Sequence, residues 1–118
     1  MRIRRETVVV SGAAGGAGSA TANATTDNVV SGRVLAVYLA YTDTPPSTTD
    51  VTIEEAGKSP ALPVLSVSDA NSDGWFYPDV ATVNSDVAPV YVDDHLEVTI
   101  AGANNGDGVT ATIVWCVD

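Results

Sequence analysis

Six consecutive residues, Asp69-Ala70-Asn71-Ser72-Asp73-Gly74, carry the densest chemical pattern of the chain. Oxygen-bearing side chains at alternate positions can curl around a hard cation, and the glycine permits the sharp turn. Asp69, Asn71 and Asp73 are therefore a calcium-loop candidate. The twelfth position is Val80 where a bidentate Glu would sit, Asp79 comes one place early, and no helical pattern flanks the segment. The competing reading is a polar turn, because Asp, Asn, Ser and Gly are the residues turns prefer. No resident metal or other cofactor is expected.

Asp93-Asp94-His95 offers a base beside a carboxylate. Neighbours on an extended strand point to opposite faces, so Asp94 is badly placed to orient the His95 ring. No G-x-S-x-G elbow supplies a nucleophile. With one cysteine (Cys116) and one histidine, the chain has no intrachain disulfide, no cysteine-clustered zinc site and no two-histidine mechanism. Cys116 alternates with Trp115 and reads as a small buried hydrophobe. The glycines at 12, 15, 16 and 18 lack the following Lys-Ser/Thr of a phosphate loop. An enzyme is not expected.

Two further groups invite a binding role. Trp75-Phe76-Tyr77 either forms an aromatic platform for sugars or a partner, or plugs one end of a core whose other residues are small. Arg2, Arg4 and Arg5 precede the Gly-rich stretch as a basic segment on an acidic body. Such a segment either docks on an acidic partner or adds to its sheet edge, or is an ordinary edge strand with solvated charges.

The elements that must position these residues are strands. Among 118 residues there are 19 Val and 13 Thr but no Gln, one Lys and one Met. β-Branched side chains favour pleated surfaces, and the strong helix formers are scarce. The pattern predicts strands over 3–10, 19–25, 33–42, 50–54, 62–68, 90–92, 95–101 and 109–117, with 79–88 irregular. Val34–Tyr41 is continuously apolar and suits a central strand covered on both faces, or one face covered by a partner subunit. Pro60 and Pro63 confine 62–68 to a sheet edge, and 104–108 (NNGDG) is a hairpin signal. The fold expected is a single all-β domain of about seven to nine short strands, a β-sandwich, jelly roll or small barrel. A Gly/Ala-rich N-terminal arm (1–18) precedes a β domain (19–118).

Composition closes off several partners. The formal charge is −10, and without the first three arginines two cations face fifteen carboxylates, or −13. A body this acidic repels phosphate backbones and anionic lipid, so neither nucleic acid nor membrane is an expected partner. The longest apolar run is eight residues, against the ~20 of a membrane helix. Glu6 interrupts the N-terminal segment, and Val8–Val10 falls short of the ~7–15 apolar residues of a secretory signal. The chain is expected to remain in the compartment where it is made.

Four short signatures occur in order: 32–38 (GRVLAVY), 48–53 (TTDVTI), 73–78 (DGWFYP) and 92–96 (VDDHL). Together they resemble small structural proteins of tailed bacteriophages, over a span from about Arg33 to the C-terminus. The resemblance implies a virion component made in the host cytoplasm, most like a head decoration (cement) protein on the outer surface of the capsid. It implies a major capsid protein as partner and a homotrimer as the assembly. On that reading Arg2, Arg4, Arg5, Val8 and Val10 are candidates for capsid docking, and Val37, Leu39, Tyr41, Trp75 and Tyr77 for the subunit interface. The alternatives are another virion part (neck, tail or fibre base) and a calcium-assisted carbohydrate- or receptor-binding β module.

Overall fold

Stretches rich in Val, Thr and Ile, broken by Gly and Pro, fold here into antiparallel strands packed face to face. The computed structural model describes residues 1–81 and 87–117. Its strands are β1 (Arg2–Val10), β2 (Ala20–Thr25), β3 (Val30–Thr42), β4 (Asp50–Glu55), β5 (Pro63–Val67), β6 (Gly74–Phe76), β7 (Asp79–Ala81), β8 (Val87–Pro89), β9 (Tyr91–Asp94), β10 (Leu96–Ala103) and β11 (Gly108–Val117). One sheet has five strands in the order β1-β11-β3-β6, with β9 also paired to β3. The other has four, β2-β10-β4-β5, and β7 pairs with β8 alone. The chain is all-β, as its composition predicts, and of the sandwich, jelly roll and small barrel left open by strand spacing it is the sandwich. It exceeds the expected strand number because β6, β7 and β8 are three residues each.

The core lies between the two sheets. From the larger sheet Val8, Val10, Val37, Leu39, Val109, Ala111, Ile113 and Trp115 face inward, against Val51, Ile53, Leu96, Val98 and Ile100 of the smaller. Each fully buried aliphatic side chain contributes roughly 1.5–3 kcal/mol relative to exposure. The small face of β2 finds the close neighbour it needs: Ala20, Ala22 and Ala24 stand opposite Ala103, Ile100 and Val98 of β10. β5 is the sheet edge that its prolines require.

Several expectations change on folding. Residues 1–18 are built into the sandwich, with β1 paired along its whole length to β11, from Arg2↔Val117 to Val10↔Val109. Ala13 belongs to the core and is tied to the far loop by backbone bonds to Asp107 and Gly106. The NNGDG segment joins β10 to β11, which lie in different sheets, so it is a corner between layers and not a hairpin. Asp107 holds that corner, accepting from the Asn104 N–H at 2.8 Å. Within 79–88, β7 and β8 form a short ladder in place of irregular chain, and residues 82–86 lie outside the described residues.

Candidate functional site

Side chains alternate between faces along a strand, so the five-stranded sheet that lines the core also presents an outer face. Register builds that face in rows. Trp75 of β6 stands opposite Tyr38 of β3, Tyr38 opposite Thr112 of β11, and Thr112 opposite Thr7 of β1. A second row runs Tyr91, Arg33, Cys116, Ile3 across β9, β3, β11 and β1. Between them lies Ala36, Val114, Arg5. A bulge at the Val114/Trp115 step of the β3–β11 ladder keeps Val34 inside while Ala36 and Tyr38 turn out.

The first row is aromatic at one end and hydroxyl-bearing at the other. The Tyr38 and Trp75 rings lie 5.1 Å apart, tilted by 60°, within the range of a favourable aromatic pair. Trp75 is 44% exposed and Tyr91 58%. Thr7 and Thr112 hydroxyls approach to 3.5 Å. Three strand gaps of ~4.8 Å put about 14 Å between the ends of this row. The arrangement offers a flat apolar ring surface followed by hydroxyl donors and acceptors, which suits a ligand with one apolar and one polar side.

The predicted site residues separate. Val37 and Leu39 are fully buried, as are Val8 and Val10. As interface and docking candidates these four are corrected, because alternation turns them onto the core. Arg2, Arg4 and Arg5 are exposed, with Arg5 on the outer face and Arg4 opposite inward-facing Trp115, past the covered part of the sandwich. Trp75 and Tyr77 are exposed, Tyr77 at 72% beside a groove of about 450 Å³ lined also by Arg33, Asp79 and Pro89. Phe76 turns the other way and packs on the core, so the aromatic tripeptide supplies both a plug and a platform.

Tyr41 is half-buried against the core, with its hydroxyl buried and unpartnered among the described residues. Burial raises the phenol's pKa, and the carboxylates of Asp73 and Asp50 add to the rise. Because an unpaired buried hydroxyl carries its desolvation cost uncompensated, Tyr41→Phe is expected to leave stability unchanged or raise it by up to ~1 kcal/mol, read as the urea midpoint.

The 69–74 segment uses its polar groups as braces. Asp73 Oδ1 accepts from the Tyr41 N–H at 2.8 Å, Asn71 Nδ2 donates to the Pro45 carbonyl at 2.7 Å, and the Asp69 N–H donates to Asp50 Oδ1 at 2.9 Å. Among the described residues no group of three or more His, Cys, Asp or Glu is placed to hold a metal ion.

Asp93-Asp94-His95 is likewise structural. Asp94 accepts from the backbone N–H of Gly57 at 2.7 Å and of His95 at 2.8 Å, while His95 Nδ1 lies 2.9 Å from the Thr26 carbonyl. The Gly57 bond is the main cause that lowers the Asp94 pKa, helped by the His95 N–H and the Lys58 charge. A carboxylate with a depressed native pKa contributes stability above its unfolded value and loses it as pH falls through the native one. The stability gap between wild type and Asp94→Ala should therefore be full at pH 7 and shrink below pH ~4, followed by urea unfolding at several pH values.

Tyr38, Thr7, Thr112, Arg33 and Tyr91 were not singled out by sequence. Alternation within each strand was the available signal, but only register places four strands' residues in one row. No protein-family model and no curated protein matches the chain. Among solved structures it is similar to two variants of a family 29 carbohydrate-binding module studied for ligand recognition. One is 14% identical with a TM-score of 0.43, over 88% of this chain and 67% of that one. The other is 12% identical with a TM-score of 0.43, over 92% and 64%.

Proposed function

We propose that this protein is a non-catalytic binding module whose outer sheet face holds a carbohydrate. The observation that carries the reading is the half-exposed Tyr38–Trp75 pair in register with the Thr112 and Thr7 hydroxyls. Sugar rings have C–H faces that pack on aromatic rings and hydroxyl rims that need hydrogen-bond partners, and the row supplies both. The reading places no calcium in the site: Asn71 and Asp73 are turned to the Pro45 carbonyl and the Tyr41 N–H, and the Trp75, Tyr38, Thr112, Thr7 row carries no carboxylate. The test is a glycan array probed with labelled full-length protein, with and without chelator. Retention of a defined glycan subset in both conditions is the expected result. Retention of none overturns the reading, and retention lost with chelator overturns its calcium independence.

A second reading, a phage head decoration protein, is favoured by the ordered signatures and by the exposed arginines on β1, whose other edge carries no strand among the described residues. The partner is then the major capsid protein, and the assembly on the shell a homotrimer. Deleting residues 1–6 is a poor test, because it strips half of β1 from β11. Replacing Arg2, Arg4 and Arg5 with Gln keeps the strand. If the second reading holds, wild type binds purified empty heads but not tails, the triple variant loses head binding, and light scattering reports a trimer. Failure to sediment with heads ends it.

A further inference from the structure

Resting on the carbohydrate reading, we infer that the ligand is an anionic glycan, with its carboxylates met by Arg5 and Arg33. The chain has five Lys and Arg residues in all, and two stand on this one face. Arg5 is opposite Val114, and Arg33 is opposite Cys116, on either side of β11. Both are exposed, and the one ion pair among the described residues is Lys58–Glu55, so neither arginine is spent on a salt bridge there. Among the described residues the three rows carry no carboxylate; Asp93, opposite Ser31, stands one same-face step beyond the Tyr91–Arg33 row, and Asp79 lines the groove beside Arg33. An otherwise acidic molecule thus has two arginines without an ion-pair partner among the described residues on one face, alongside its aromatic pair, with Asp79 and Asp93 at the Arg33 margin.

Geometry selects the kind of anion. Two strand gaps and one two-residue step put the Arg5 and Arg33 backbones about 12 Å apart. Side chains so spaced suit charges repeated along an extended chain better than a single phosphate gripped by both. Guanidinium groups match carboxylates bidentately, which a neutral sugar cannot use. Carboxylates elsewhere on the protein are screened beyond ~8 Å at physiological salt, so close approach is decided by Arg5 and Arg33 against Asp79 and Asp93 at one margin. A protein partner fits less well, because four strands by about eight residues give a face of roughly 500 Å², below the ~800 Å² per partner of a standard stable interface. Nucleic acid fits less well again, since two arginines on a −10 molecule displace few counterions.

The test uses oligogalacturonate and its methyl ester, one backbone with and without charge, titrated calorimetrically into the full chain. A glycan array with matched acidic and neutral members runs in parallel. Wild type is expected to prefer the acidic form by about tenfold or more, and the preference should shrink several-fold at 0.5 M salt. R5Q/R33Q should lose the preference while keeping the β circular-dichroism spectrum and any binding of the neutral form. Array hits confined to neutral glycans, or equal affinity for acid and ester, overturn the anionic assignment and leave the carbohydrate reading standing. Array hits among acidic members with R5Q/R33Q unchanged overturn the role of the two arginines. No hits of either kind overturn both.

Discussion

If the outer face holds a carbohydrate as proposed, Trp75→Ala is expected to reduce its binding by a hundredfold or more, about 2.7 kcal/mol, while the protein stays folded. The ring is the exposed half of the Tyr38–Trp75 pair and heads the only row of the outer face in which two aromatics adjoin among the described residues. Its removal takes away the ring surface proposed to pack on a sugar, and leaves Tyr38 to present a narrower patch. The cost to stability is limited to the pair contact, about 0.5–1.5 kcal/mol, since the neighbouring Phe76 anchors β6 to the core. Binding isotherms and thermal unfolding on the same samples separate the two effects. Affinity within threefold of wild type would remove the aromatic row from the site.

Gly32→Ala should do the reverse and threaten the fold itself. Gly32 has φ of +131°, outside the range an L side chain adopts readily. An added Cβ would overlap the Cys116 carbonyl oxygen and sit 3.0 Å from its carbon, where β3 passes against the end of β11. The obstruction is backbone on both sides, so nothing flexible can yield. A cost of about 3–5 kcal/mol is expected, a large part of the ~5–15 kcal/mol that holds a domain together. Gly74→Ala is the control: nothing lies within 4 Å of its added Cβ, and its effect should stay within ~0.5 kcal/mol. Equal urea midpoints for the two variants would contradict the close approach of β3 to β11.

Strand positions were legible because Val, Ile and Thr cluster between Gly and Pro, and alternation in 109–117 and 95–101 gave their inward faces directly. The 33–42 segment defeated alternation. Its outward residues, Ala36, Tyr38 and Ala40, are as apolar as its inward ones, so Val37 and Leu39 could be read as available to a neighbour although they are core. Layer assignment was hidden for a different reason. The NNGDG turn has hairpin chemistry, yet the chain uses it to change sheets, a choice made by packing at Ala13 and Asp107 and not by the turn residues. Half of the candidate site was visible as Trp75 in its aromatic tripeptide. The other half, the threonines and Arg33, is ordinary strand composition until register aligns it.

The pairing of Arg2 with Val117 brings the first and last strands side by side, and the two described ends of the chain emerge from one edge of the molecule. A short peptide could bridge them without disturbing the layers. The same adjacency lets the unit be spliced as a cassette into a surface loop of a carrier, entering and leaving at nearly one point. Copies strung in series would then hang from their tether like beads, each attached at the same edge.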